Sequence, residues 1–485
     1  MQNFRPIVRV MGLMLALFSI SYLMPIAASL IARDGTWDEF AVAMAISAGT
    51  GSLLWFLTRH ANRELRPADG FLLVVFAWSG MAAFATIPLL LVLHGLSFTD
   101  AYFETISGLT TTGATTLTGL DALPAAINLW RHELNWLGGM GIIVLAVAIL
   151  PLLGVGGRQL FMAETPGPMK DARLAPRIAE TARNLWLVYA AVTLLCAVCL
   201  KLAGMSSLDA ISHAFSTLAL GGFSTHDASI GFFDSSAIEA ILIVFMLIAG
   251  ANFATHFRCW RAKSVSPYAH DPEFFPYIVL LIGSCLAIGA FLWLQGAYDS
   301  FWIALRHTSF NLVSIAVGCG LVSVDYNQWP IFAPLWMLYL SCISACSGST
   351  GGGIRMVRTM ILFRQAYREM TMLLHRYAVQ PLKIGGAVVA NKLVFSVLAF
   401  VFSYFLCVVT MSFLLMASGL DFITAFSGVI ACINNAGPGL NLVGPATNYG
   451  ELSDFQTWVY TITMLLGRLE IFTLLIIFTP AFWRR

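Results

Sequence analysis

Charge is scarce in this chain. Of its 485 residues only 11% are Asp, Glu, Lys or Arg, against roughly 25% in an ordinary soluble domain. That scarcity excludes a soluble globular class, and no nucleic-acid partner is expected. Metal-ligand spacing is missing too. The nine cysteines lie almost entirely in apolar surroundings, so they read as small packing residues with neither a zinc site nor a disulfide. His132-Glu133-Leu134-Asn135-Trp136 begins like a zinc-protease helix but lacks the second histidine, and His213 and His307 have no metal spacing either. An enzyme is therefore not expected, nor an organic cofactor. No small-residue cleavage site precedes the polar break at Arg33-Asp34, so the first apolar segment does not read as a signal peptide.

What the chain has instead is hydrophobic length. Hydrophobic residues make up 58% of it and its mean hydropathy is +0.80. A helix needs about 20 apolar residues to cross a bilayer. Candidate spans cover 8–31, 40–58, 70–94, 133–156, 184–204, 236–258, 275–296, 330–363, 390–417 and 456–482. If these spans alternate in direction, most Lys and Arg fall on one side. Arg5 and Arg9, Arg59 to Arg66, Arg158 to Arg183, Arg258 to Lys263, Arg355 to Lys392 and the terminal Arg484-Arg485 all lie there. Asp34, Asp100, Glu104, Asp121, Asp209, Asp227, Asp325 and Asp421 fall on the other side. The positive-inside rule then places both termini in the cytoplasm.

An internal repeat follows the second span. Four loops, each between two spans on the outer side, read Thr110-Thr111-Thr112-Gly113, Ala219-Leu220-Gly221-Gly222, Val317-Gly318-Cys319-Gly320 and Asn434-Asn435-Ala436-Gly437. Short amphipathic stretches precede them and start alike, at Phe98-Thr99-Asp100, Ser207-Leu208-Asp209 and Leu420-Asp421-Phe422. Asp100 precedes Gly113 by the interval that separates Asp209 from Gly222, enough for about three helical turns. The expected fold is an all-α polytopic membrane protein. Two leading transmembrane helices (1–66) precede four pseudo-symmetric helix–pore-loop–helix units (67–160, 161–264, 265–376 and 377–485) around one central pore. Non-helical backbone at membrane depth must line a wet cavity or be buried by protein, and a four-loop ring meets that condition. Its carbonyls would face a dehydrated cation. The third loop leaves its register open between Gly318 and Gly320. The step from Gly222 to Asp227 matches that from Gly320 to Asp325 and favours Gly320.

Two further features stand out. The run Gly348-Ser349-Thr350-Gly351-Gly352-Gly353 cannot stay helical, because each glycine costs about 1 kcal/mol relative to alanine. It is no nucleotide P-loop, because neither Lys-Ser nor Lys-Thr follows. An intramembrane gate loop below the pore loops is the expectation. Arg468 lies near the middle of the last span, where a charge costs from about 3 to well above 10 kcal/mol, so it should face water or a partner. Glu470 is no intrahelical partner, since residues two apart do not face each other. Glu104, Asp209 and Asp421 would either draw cations to the mouth or cap the short helices.

These residues carry a resemblance. The loops at 110–113, 220–224 and 434–439, the glycine run at 348–353 and Arg468 resemble the Trk/Ktr/HKT superfamily of potassium transporters, in particular the membrane subunit of bacterial Trk uptake systems. The resemblance covers the whole chain, including the two leading spans. It implies one pore per subunit, with potassium or its surrogate rubidium held by backbone carbonyls of Thr111, Thr112, Leu220, Gly221, Gly318, Cys319, Asn435 and Ala436. Gly113, Gly222, Gly320 and Gly437 would permit the backbone shape. It further implies a gate made of the glycine run and Arg468, a homodimer, and a cytoplasmic ring of nucleotide-binding (NAD- or ATP-type) regulatory subunits. The setting would be the bacterial inner membrane. Arg355 to Lys392 offers that ring a docking surface, or simply anchors the chain. In one branch of the superfamily a serine at a filter glycine accompanies sodium transport, and all four positions here are glycine. The alternative is an alternating-access symporter coupled to protons or sodium. Against it, the four units run parallel.

Overall fold

The computed structural model describes residues 4–60, 65–141, 178–375 and 380–484. The chain enters through Arg5–Phe18, passes one tighter turn at Ser19–Tyr22 and continues as Leu23–Ala32, a single span. Trp37–Thr58 returns beside it. Glycine sets the closeness of this pair: a Cβ on Gly12 would lie 2.7 Å from the Gly51 carbonyl oxygen, and one on Gly51 would lie 2.6 Å from the Ala16 nitrogen. Small residues that let backbones touch are how helices associate in lipid, where the hydrophobic effect gives no net pull.

Four units follow. Their outer helices are Pro67–Val92, Ile178–Leu202, Phe274–Leu294 and Asn391–Ala417. Their pore helices are Phe98–Leu109, Ser207–Ala219, Phe301–Val317 and Phe422–Ile433. The inner helices begin at Ala125, Ser236, Phe332 and Asp454. Among the described residues six helices are long and apolar enough to cross a bilayer, and two bent pairs also qualify.

The second and fourth inner helices depart from the continuous spans expected, while the third breaks at the glycine run as its sequence requires. Ser236–Gly250 turns by 96° into Phe253–Ala262, and Asp454–Arg468 turns by 108° into Phe472–Phe478. Phe332–Ile343 stops, and helix resumes only at Met356–Leu374 after the glycine run. The first inner helix ends at Gly139, and the remainder of the expected span 133–156 falls outside the described residues beyond Gly141. Each break has a local cause. Gly250 ends the second helix, the glycine run cannot propagate the third, and Glu470 (φ 54°) and Ile471 (φ 44°) adopt left-handed backbone in the fourth. That conformation is strained for a β-branched residue. A second small departure from an all-helical chain is the hairpin Lys383–Ile384 with Ala387–Val388, turned by Gly385-Gly386 with both φ positive. It covers a separate small core of Val357, Ile361, Leu382, Ile384, Val389, Val394 and Val397.

Candidate ion pathway

All four pore helices start and stop in matching ways. Ser97, Ser206, Ser300 and Asp421 cap them, each side chain accepting a backbone N–H from the first turn. Of the three acids expected either to cap helices or to attract cations, only Asp421 is a cap. Asp209 sits one turn in, its carboxylate accepting the Ser206 hydroxyl at 2.7 Å. Glu104 does neither: it is buried at 1% exposure and paired with Arg131 at 2.6 Å.

At the other end the chain turns by the same two hydrogen bonds in every unit. The N–H groups of Thr111, Leu220, Gly318 and Asn435 reach back to the carbonyls of Gly108, Thr217, Ile315 and Cys432, at 2.9–3.2 Å. Those of Thr112, Gly221, Cys319 and Ala436 reach Ser107, Ser216, Ser314 and Ala431, at 2.7–2.8 Å. This is the Schellman pattern of helix ends. It requires a left-handed residue, and Thr111 (φ 56°), Leu220 (φ 53°), Gly318 (φ 82°) and Asn435 (φ 54°) supply it. Two residues on, Gly113, Gly222, Gly320 and Gly437 return to positive φ, between 72° and 85°. Gly318 thus matches Thr111 in conformation, and Gly320 matches Gly113, which is the register favoured by the spacing to Asp325.

The four loops close on one another. A Cβ on Gly113 would strike the Gly221 carbonyl oxygen, one on Gly222 that of Cys319, one on Gly320 that of Ala436, and one on Gly437 that of Thr112. The sequence of contacts runs from first loop to second, third, fourth and back to first, which is a ring. Among the described residues no donor hydrogen-bonds the carbonyls of Thr111, Thr112, Leu220, Gly221, Gly318, Cys319, Asn435 or Ala436. These oxygens, at the negative ends of four pore helices, are disposed to stabilise a cation. On the side of the ring away from the glycine run, the four glycines share a cavity of about 80 Å³ with Thr115, Arg131, Ser224, His226, Asp227 and Tyr449.

Directly beneath lies the glycine run. Thr350 donates its hydroxyl to the Leu218 carbonyl at 3.1 Å. A Cβ on Gly351 would meet the Val317 carbonyl oxygen at 2.8 Å, and one on Gly352 would strike the Asn434 carbonyl. The run therefore packs against the inner ends of three pore helices. Gly348 and Gly353 take positive φ (81° and 80°), and the Gly348 carbonyl accepts the Phe253 N–H at the second-unit break. Ser349 turns back to accept on the Gly351 N–H at 3.3 Å.

Arg468 proves to be the last residue of its helix rather than a mid-helix charge, because the turn begins at Leu469. Its guanidinium donates to the carbonyls of Thr350 and Gly139, both at 3.0 Å, to the Gly138 carbonyl, and to the Thr111 hydroxyl at 3.3 Å. One side chain thus joins the glycine run, the first loop and the end of the first inner helix. Glu470 pairs instead with Arg358 at 2.8 Å, and Arg358 stacks 3.9 Å over Phe400. Sequence reasoning missed the Arg131–Glu104 pair, the Arg358–Glu470 pair and Glu273, whose carboxylate accepts the Ser347 N–H at 2.8 Å where the glycine-run segment begins. Each partner lies far along the chain, and no local spacing marks it.

The chain matches the family of cation transport proteins named TrkH over residues 38–294 and 300–485. Among curated relatives, the Trk system potassium uptake protein TrkH of Halomonas elongata is 46% identical, over 100% of both chains. That of Escherichia coli K12 is 44% identical, over 99% of this chain and 100% of its own. The crystal structure of the potassium transporter TrkH from Vibrio parahaemolyticus is similar at a TM-score of 0.90 and 44% identity, with 100% of both chains covered. Identity of this order over full length leaves no room for a different fold or class: the chain belongs to the TrkH family of cation transport proteins.

Proposed function

We propose that this chain moves potassium, with rubidium as its surrogate, into the cell across the inner membrane, through the ring formed by the four loops. The ring closure itself carries the reading: four glycines each abut the carbonyl of the next loop at four converging helix ends, and among the described residues no donor bonds these carbonyls. Carbonyls of Thr111, Thr112, Leu220, Gly221, Gly318, Cys319, Asn435 and Ala436 replace water around the ion. The glycine run 348–353 and Arg468 form the gate, and the contacts of Thr350 and Gly352 with the pore-helix ends support a shut position for it. Relatives are named as Trk system potassium uptake proteins, which supports potassium as the ion. A homodimer, with a cytoplasmic nucleotide-binding regulatory ring docked near Arg355 to Lys392, completes the proposal.

Rubidium uptake into proteoliposomes tests it. Uptake by the wild type is expected to be blocked by potassium and ignored by sodium. Gly113→Ser, whose Cβ strikes the Gly221 carbonyl, should admit sodium or abolish uptake. An unaltered ion preference would place the pathway elsewhere.

A further inference from the structure

Behind the ring lies a second layer that repeats with the same fourfold order. Seven residues ahead of each left-handed residue stand Glu104 (before Thr111), His213 (before Leu220), Asn311 (before Gly318) and Gly428 (before Asn435). The three polar ones are buried, none more than 1% exposed. Each reaches the strand leaving its own loop. Glu104 accepts the Thr115 hydroxyl at 3.0 Å and the Thr116 N–H at 3.2 Å. Asn311 accepts the Ser323 N–H at 3.1 Å and donates to the Ser323 hydroxyl at 2.9 Å.

His213 fixes its own tautomer. Its Nδ1 lies 2.9 Å from the Asp209 carbonyl, which can only accept, so the proton sits on Nδ1. Nε2, 2.9 Å from the Ser224 hydroxyl, then accepts from it. In the fourth unit the position is glycine, and Gly439 packs against it: a Cβ on Gly439 would lie 3.0 Å from the Gly428 nitrogen. Ser427, next door, accepts the Leu440 N–H at 2.8 Å.

Arg131 joins two of these braces. It binds Glu104 at 2.6 Å, donates to the Ser224 carbonyl and the Thr115 hydroxyl at 3.2 Å each, and lies 4.3 Å over the Phe223 ring. Loops one and two are thus bound into one belt, Glu104–Arg131–Ser224–His213. Loop two is held to loop three by the Ile230 N–H on the Val322 carbonyl at 2.9 Å, and loop four to loop one by the Tyr449 N–H on the Thr115 carbonyl at 2.8 Å.

We propose that Glu104 and Arg131, with His213 and Asn311 at the matching places, are positioning residues that hold the outer mouth of the ring at its width and thereby exclude the smaller sodium ion. None of them supplies a carbonyl of the ring, although Arg131 lines the cavity above it. A ring free to shrink would accept sodium, and bonds that tie each exit segment back to its own pore helix oppose that shrinkage. The inference rests on the four-loop filter proposed above and assigns the source of its selectivity.

The test uses the full chain in proteoliposomes, reading rubidium uptake against rising sodium. Two variants are compared with wild type: Glu104→Gln combined with Arg131→Gln, which removes both buried charges together, and Asn311→Ala, which leaves charge unchanged. In each, the sodium concentration that halves uptake should fall about tenfold, a shift typical of a lost specificity contact, while the maximum rubidium rate changes less. A partly unfolded preparation lowers the rate without changing which ion competes. If the double variant does not fold, Asn311→Ala decides. Gly113→Ser, run alongside, separates the two claims. If it loses sodium exclusion while both brace variants keep it, the brace is overturned and the filter stands. If all three keep it, the filter and the brace fall together.

Discussion

Removing the Arg468 side chain should open the pathway. In the proposed shut arrangement its guanidinium donates to the Thr350 carbonyl at 3.0 Å, a bond that fastens the glycine run to the fourth inner helix. A hydrogen bond from a charged donor is worth about 1.5–3 kcal/mol. The guanidinium also donates to Thr111, Gly138 and Gly139, which belong to the first loop and the first inner helix rather than to the run. Arg468→Ala should therefore destabilise the shut state by about 2 kcal/mol, which converts to a roughly 30-fold gain in open population where the shut state dominates. The assay is basal rubidium uptake by the purified chain in proteoliposomes, with no regulatory subunit present. Arg468→Lys separates bonding from charge. Lysine keeps the positive charge but, as a single ammonium point, cannot span acceptors on three segments. If the bond to the run matters, Arg468→Lys raises uptake as well. Wild-type uptake in both variants would refute the gate contact, and a rise in Arg468→Ala alone would mean that Arg468 acts only as an electrostatic barrier.

Two further outcomes follow from the same gate. Gly352→Ala places a methyl group against the Asn434 carbonyl, with its carbon 2.9 Å away and the Asn435 Oδ1 3.1 Å away, so the run must lift and basal uptake should rise several-fold. Unchanged uptake would show that the run yields without opening. Glu273 adds a pH dependence. Burial pushes its carboxyl up to about 7, with the nearby Asp271 adding to the shift. Lifting the run wets this group; regained hydration outweighs the loss of the Ser347 N–H, which by itself lowers the pKa, and returns the carboxyl toward the ordinary range. The shut state then holds its proton more tightly, so its advantage is full at low pH and is lost as pH rises through about 7. Uptake should climb with internal pH up to that value and level off above it, and Glu273→Gln should flatten the profile. A profile identical in both proteins would remove Glu273 from gating.

Much of this architecture was legible because membrane burial and repetition both leave strong marks. The Asp-containing starts at Asp100, Asp209 and Asp421, and the glycines that follow them, mark three of the four pore helices in the sequence itself. The glycine run announced its own loss of helix. Even the ambiguous third loop carried a usable clue in the Gly320–Asp325 step, and the shared φ pattern of Gly318 and Gly320 agrees with it. The sequence was silent where tertiary contact overrides local preference. Glu470 and Ile471 are ordinary helix residues, yet both adopt left-handed backbone, so Arg468 read as the middle of a helix when it stands at a turn. Glu104 read as a helix cap or a mouth acid because its counter-charge, Arg131, arrives from another helix. The mutual contacts of the four glycines could not be read either, since each collides only with a loop from a different unit.

The central claim, that the four loops form one cation-binding ring, is tested most directly by locating the ion. Crystals grown in rubidium, measured at the rubidium absorption edge, should give an anomalous peak enclosed by the carbonyl oxygens of Thr112, Gly221, Cys319 and Ala436. The Gly113→Ser protein should lose that peak. A wild-type map with no rubidium inside the ring, but with an ordered peak elsewhere in the membrane region, would contradict the account.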